Sequence, residues 1–195
     1  MIIGITGGTG CGKTTLLNLI ADQGGLILDC DAIYHALLLS DRQMLQDIEE
    51  RFPGVVEEGI LNRKRLGGIV FADEKALLDL NRITHAAVKQ EVLRQLETAP
   101  QLAAIDAIGL FEGELSDLCD VTVAVTAPEE ARVERLMQRD GISEDYARSR
   151  IRAQHDEGWF RQRCDHVLEN SGDLESFRRK CLAFLQSLGI MKENA

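Results

Sequence analysis

Apolar residues in this chain come in two patterns: short solid runs, and longer stretches where they recur every three or four positions. The runs at 2–6, 26–28, 102–105, 121–125 and 166–168 are too short for helices and read as buried strands. The periodic stretches between them read as helices. One follows the first strand to about Gln23, where Gly24-Gly25 stops it. A second spans 32–51 and ends at Phe52-Pro53-Gly54. Residues 55–61 show no clear period. Asn62 caps a short helix carrying Arg63, Lys64 and Arg65. Leu77, Leu80, Ile83, Ala87, Val88 and Val92 then mark a long amphipathic helix over 73–97. Pro128 opens another that runs to about Arg139, and Ser143 opens the next after the Asp140-Gly141 turn. A last helix aligns Leu174, Phe177, Cys181, Phe184 and Leu188, and the tail from Met191 is expected to fray. Five strands interleaved with helices predict an α/β fold, a doubly wound parallel five-stranded sheet with flanking helices and a small helical lid.

The link between the first strand and its helix is Gly7-Gly8-Thr9-Gly10-Cys11-Gly12-Lys13-Thr14, a G-x-x-x-x-G-K-[ST] loop in the strand–loop–helix setting that the motif requires. Such a loop turns backbone N–H groups toward an anion at a helix N-terminus, here a nucleotide phosphate. Gly8, Gly10, Cys11, Gly12, Lys13, Thr14 and Thr15 are the candidate ATP-binding residues. Lys13 would reach the outer phosphates, and the Thr14 hydroxyl would take one position on Mg²⁺. The second strand ends in Asp29-Cys30-Asp31, two carboxylates at the sheet edge where open α/β folds place ligands, and the strand at 102–105 leads to Asp106.

At 195 residues the chain is expected to form a single domain, with an acceptor-binding helical region at about 55–100 and a lid at about 139–163. Its five cysteines lack a C-x-x-C pair, which argues for reduced thiols over a zinc site or a disulfide framework. The formal net charge of −10 predicts no hold on nucleic acid or anionic lipid, and no protein partner is expected. No apolar run is long enough to span a membrane, and the first strand starts without a signal-like segment, so a cytoplasmic protein is expected. Against the acidic background, arginines crowd positions 132–163, a concentration suited to polyphosphate.

The loop alone fits GTPases, ATPases and small-molecule kinases. An N-K-x-D motif is missing, and the chain is short for a motor. A kinase for a small acceptor and a nucleotide-binding regulator without catalysis both remain open on these residues.

Several separated segments narrow the choice. Asp29-Cys30-Asp31-Ala32-Ile33, Leu61-Asn62-Arg63-Lys64-Arg65-Leu66, Ile83-Thr84-His85, Leu110-Phe111-Glu112, Arg135-Leu136-Met137-Gln138-Arg139-Asp140-Gly141 and Asn170-Ser171-Gly172, together with the phosphate loop, resemble the dephospho-CoA kinase family over nearly the whole chain. The resemblance implies ATP-dependent phosphorylation of the ribose 3′-hydroxyl of dephospho-CoA. It implies Asp31 as the base, with Asp29 reaching magnesium through water and His35 near the acceptor. Arg63, Arg65, His85 and Glu112 fall on the acceptor side, with Glu112 able to orient a cation. Arg139 and Arg135 would close on the ATP phosphates, and Asn170 would meet the adenine edge. The chain departs from the family pattern in reading His85-Ala86 for His-Pro, Ile108-Gly109 before Leu110 for Pro-Leu, and Arg132 for a glutamine. Cys11, at a helix N-terminus beside Lys13, reads either as a small residue that fills space beside the phosphates or as a thiolate whose oxidation would block ATP.

Overall fold

A computed structural model describes residues 1–190, so the fraying expected from Met191 lies outside the described residues. Strand β1 (Ile2–Thr6) enters the glycine loop and emerges as helix α1 (Lys13–Asp22). Next come β2 (Leu26–Asp29), α2 (Cys30–Ser40), α3 (Arg42–Arg51), a hairpin of β3 (Val56–Glu57) and β4 (Ile60–Leu61), α4 (Arg63–Val70) and the long α5 (Glu74–Leu96). Strand β5 (Ala103–Asp106) leads through an irregular excursion to β6 (Val121–Thr126), α6 (Glu129–Asp140), α7 (Glu144–Arg152), α8 (Glu157–Arg163), β7 (His166–Glu169) and α9 (Leu174–Ser187).

The five long strands form one parallel sheet in the order β2-β5-β1-β6-β7. Because β1 is central, the chain winds out to one side for β2 and β5 and to the other for β6 and β7, and the glycine loop occupies the switch point. Register then decides what stands beside it. Asp106 is aligned with Ile5 on one side and with Asp29 on the other, so two carboxylates from distant parts of the chain share one edge with the loop.

Helices cover both faces. Ile3, Ile5, Val123 and Val125 pack under Leu16 and Ile20 of α1 and Phe177 and Leu185 of α9. On the opposite face, Leu28 and Ile105 meet Ile33 of α2 and Val88 and Val92 of α5. Each such side chain stabilises the fold by about 1.5–3 kcal/mol when fully withdrawn from water. A third cluster, with Met44, Ile48, Phe52, Val55, Leu66 and Val70, joins α3, α4 and the hairpin beside the sheet, and Val133, Leu136, Ala147 and Ile151 hold α6 against α7. No helix among the described residues is long and apolar enough to cross a membrane.

One local expectation is corrected, and the stretch without a period takes a definite form. The single helix over 32–51 is broken at Asp41, whose backbone is extended and whose carboxylate accepts from Met44 N–H at 3.0 Å. An aspartate that caps a new helix competes with continuation of the old one, and the break turns Met44, Leu45 and Ile48 inward. The stretch 55–61 is a hairpin turned by Glu58 and Gly59, both with positive φ, and the Glu49 carboxylate accepts from the Gly54 and Val56 N–H groups beneath it.

Candidate active site

Gly12, with φ +94°, turns the chain from the loop into α1 without a side-chain cap, leaving the first helical N–H groups facing an open cavity. That cavity has a volume of about 610 Å³ and is lined by the loop residues Gly8 to Thr14, by Asp29, Asp31, Asp106 and Ile108 at the sheet edge, and by Arg135, Gln138, Arg139 and Arg150 from the lid side. Cationic side chains therefore face carboxylates across the exposed N–H groups, an arrangement suited to a polyphosphate and its metal ion.

Lys13 Nζ donates to Gly7 O at 3.1 Å and lies 3.8 Å from Asp106 Oδ1. Asp106 is mostly buried, and its Oδ1 has no hydrogen-bond partner among the described residues. Burial pushes this carboxyl up to about 6 against the pull of Lys13, with Asp29 and Asp31 adding repulsion. Asp29 caps α2, accepting from Ala32 N–H at 3.0 Å. Asp31, in the first turn of the same helix, is exposed to the cavity, and no hydrogen bond among the described residues engages its carboxylate.

The arginines of α6 and α7 have partners of their own. Arg139 grips Asp140 through Nε at 2.7 Å and Nη2 at 3.0 Å, and Arg150 reaches the same carboxylate at 2.8 Å. These partners hold the Asp140 carboxyl at about 2. Arg135 Nη1 donates to Gly10 O at 3.0 Å and to Cys11 O at 3.4 Å, fastening α6 to the loop. Arg132 Nε donates to Thr9 O at 2.9 Å.

Gly8, Gly10, Cys11, Gly12, Lys13, Thr14, Asp29, Asp31, Arg135 and Arg139 thus converge on one cavity, while Thr15 stays half-buried at the start of α1. Asn170 lies beneath the loop: it is 6% exposed and donates from Nδ2 to Cys11 O at 2.9 Å, which commits its amide to holding the loop. His85 and Glu112 line a separate 500 Å³ cavity beside α5, with His85 Nδ1 donating to Glu112 O at 3.2 Å and Glu112 Oε1 accepting from His155 Nε2 at 2.6 Å. His35, Arg63 and Arg65 line neither cavity. Arg65 packs against Gly54 and lies 3.9 Å from Glu57.

Of the two readings of Cys11, burial favours the residue that fills space and opposes the thiolate. The side chain is 2% exposed, and burial raises its pKa in spite of Arg132, Lys13 and Arg135. Sequence reasoning did not name Asp106, Arg150 or Gln154 as site residues. For Asp106 a signal was present, a carboxylate ending a strand as Asp29 does. Arg150 had its signal in the arginine-rich stretch 132–163, whereas Gln154 becomes legible only through its bonds to Thr9 and Arg132.

Comparison with known proteins agrees with this geometry. The family model described as dephospho-CoA kinase matches residues 1–176. The dephospho-CoA kinase of Corynebacterium diphtheriae is 36% identical over 184 residues, covering 91% of this chain and 92% of its own. A crystal structure from Thermus thermophilus, 35% identical, superposes with a TM-score of 0.80 over 96% of this chain and 97% of its own. Shikimate kinase from Bacteroides thetaiotaomicron, 18% identical with a TM-score of 0.58 over 97% of this chain and 98% of its own, shares the fold. The family model spans most of the chain, the Corynebacterium relative is 36% identical over nine tenths of it, and on that ground the chain belongs to the dephospho-CoA kinase family.

Proposed function

We propose that this protein transfers the γ-phosphoryl group of ATP to the ribose 3′-hydroxyl of dephospho-CoA, forming CoA and ADP. The observation that carries the reading is the unengaged Asp31 carboxylate facing the phosphate loop across one cavity, in a chain of this family. Asp31 accepts the hydroxyl proton as the ribose oxygen attacks phosphorus; the new O–P bond forms while the bond to the β-phosphate oxygen breaks. The loop N–H groups and Lys13 hold the phosphates in line, and Arg139 with Arg150 covers the charge that spreads over the moving group.

The oxygen donors at this edge fit Mg²⁺: the Thr14 hydroxyl is exposed at the start of α1, and the unpartnered Asp106 Oδ1 stands at the same rim with Asp29. Mg²⁺ held there with the nucleotide would neutralise phosphate charge. Asn170 serves as a positioning residue for the loop, where adenine contact was expected. His85 and Glu112 belong to the acceptor side. We assign the acceptor region to 55–100 and the lid to 139–163 of a single domain, and we place the protein in the cytoplasm with its nucleotide substrates.

The test is ADP release with Mg-ATP, offering dephospho-CoA, adenosine, AMP and CoA as acceptors. Turnover confined to dephospho-CoA, with CoA identified as product, is the expected result. Turnover with another acceptor alone would replace the substrate, and nucleotide binding without ADP release from any acceptor would favour the regulator.

A further inference from the structure

Two adjacent residues after α7 reach opposite halves of the site. Gln154 Oε1 accepts from Thr9 N–H at 2.8 Å and from Arg132 Nη2 at 3.0 Å. Since Arg132 Nε also donates to Thr9 O, this pair engages both backbone groups of a residue at the crown of the phosphate loop. One position on, His155 Nε2 donates to Glu112 Oε1, the acceptor-side residue on the segment that follows β5. The His155 ring is not free to wander. It stacks on Trp159 at 3.8 Å with the planes 1° apart, and Trp159 meets Phe111, the neighbour of Glu112, edge-on at 5.5 Å.

Neither Gln154 nor His155 lines the phosphate cavity, so any effect they have on transfer passes through Thr9 and Glu112. In-line transfer requires the attacking oxygen about 3–3.5 Å from phosphorus, and a 1 Å error costs about 100-fold in rate. The sheet fixes where β1 and β5 end. It does not fix the loop crown or the excursion after β5, and one short stretch of backbone bridges these two.

We propose that Gln154 and His155 are positioning residues that hold the phosphate loop and the acceptor segment in one register, so that a ligand bound at either side strengthens binding at the other. This rests on the reading of the excursion after β5 as part of the acceptor site. Such coupling is reciprocal, and in proteins it is typically about 5- to 150-fold.

The experiment is calorimetric: the dissociation constant of Mg²⁺ with β,γ-imido-ATP is measured with and without saturating dephospho-CoA. The unaltered protein should bind the nucleotide at least about fivefold more tightly with the acceptor present. In Gln154→Ala and in His155→Ala that ratio should fall to about one, while Gln154→Glu, which still offers an oxygen to Thr9 and Arg132, should restore it. A residue that only supports the fold would change both constants together and leave their ratio intact. Because His155 is half-exposed, His155→Ala carries the test even if Gln154→Ala does not fold. A ratio of one in the unaltered protein, or a ratio that His155→Ala leaves intact, overturns the proposal. Failure of the substrate reading has a different sign, the absence of CoA as product, and the ratio is read in the same way with whichever acceptor binds.

Discussion

At the residue scale, the site places carboxylates in contrasting surroundings, and the contrast predicts different responses to mutation. Asp31 stands open to the cavity, so Asp31→Asn should leave nucleotide binding intact and lower turnover by about 10²- to 10⁴-fold, the usual worth of a general base. Near-normal turnover in a steady-state assay would remove Asp31 from that role. Asp106 is the buried counterpart. Its folded-state pKa of about 6 lies above the ordinary 3.8, so burial favours its protonated form. The sign follows directly: the ionised carboxylate costs the fold stability, and the cost develops as pH rises through the window from about 4 to about 6. Asp106→Asn removes that penalty while depriving Lys13 of its neighbour. It should therefore stabilise the protein by about 1–3 kcal/mol at neutral pH, with the gain vanishing near pH 4, as read from urea unfolding at both values. Turnover should fall by about 10- to 100-fold in the same variant, since the carboxylate beside Lys13 in the phosphate cavity is lost.

At the element scale, the phosphate loop is held as much by the helices around it as by its own glycines. Gly8 is glycine because α6 and the turn after α7 come so close: a Cβ there would lie 2.2 Å from Arg132 Nη2 and 2.9 Å from Gln154 Oε1. Gly8→Ala should thus expel the Arg132–Gln154 pair and destabilise the protein by about 1–3 kcal/mol. The same change made in an Arg132→Ala background should cost at least about 1 kcal/mol less, because the obstructing guanidinium is gone. Additive costs in that double-mutant cycle would mean that Gly8 answers to something other than α6. The contact also explains what could be read in advance. The loop, the strand ends and the long helix α5 were legible because their signals are contiguous or periodic. The break at Asp41 was hidden inside an apolar pattern that continues across it, and the two-residue strands of the hairpin are too short to show any period. Asp106 shows its strand-end position locally, but its place beside Asp29 is set by strand register, and Gln154 joins through its contact with Thr9, a relation across space that no local pattern records.

At the scale of the whole molecule, acidic groups of two kinds oppose one another as pH changes. Exposed and half-buried carboxylates are held low by partners: Glu91 at about 2 by the Arg94 fork and Gln95, Asp140 at about 2 by Arg139 and Arg150, with Asp79 lowered by Arg51 and Glu130 by Arg148. Glu49 and Asp165 are lowered through uncharged donors, the N–H groups of Gly54 and Val56 in one case and the hydroxyl and N–H of Thr122 in the other. A lowered value stabilises the fold above the ordinary carboxylate range and is lost as pH falls from about 4.5 toward 2. Asp106 acts in the opposite direction above about 4, and the net charge of −10 at pH 7 adds self-repulsion that fades toward the isoelectric point near 4.9. Stability should therefore peak near pH 5, declining gently toward neutrality and steeply below about 4. Salt separates the contributions. At about 1 M ionic strength, where the screening length is about 3 Å, the neutral-side decline should flatten and the arginine-held share of the acid limb should shrink, while the share of Glu49 and Asp165 persists. Urea midpoints measured across pH at low and high salt would decide the matter. A maximum above pH 7, or an acid limb that salt abolishes entirely, would show that other groups set the acid response of this fold.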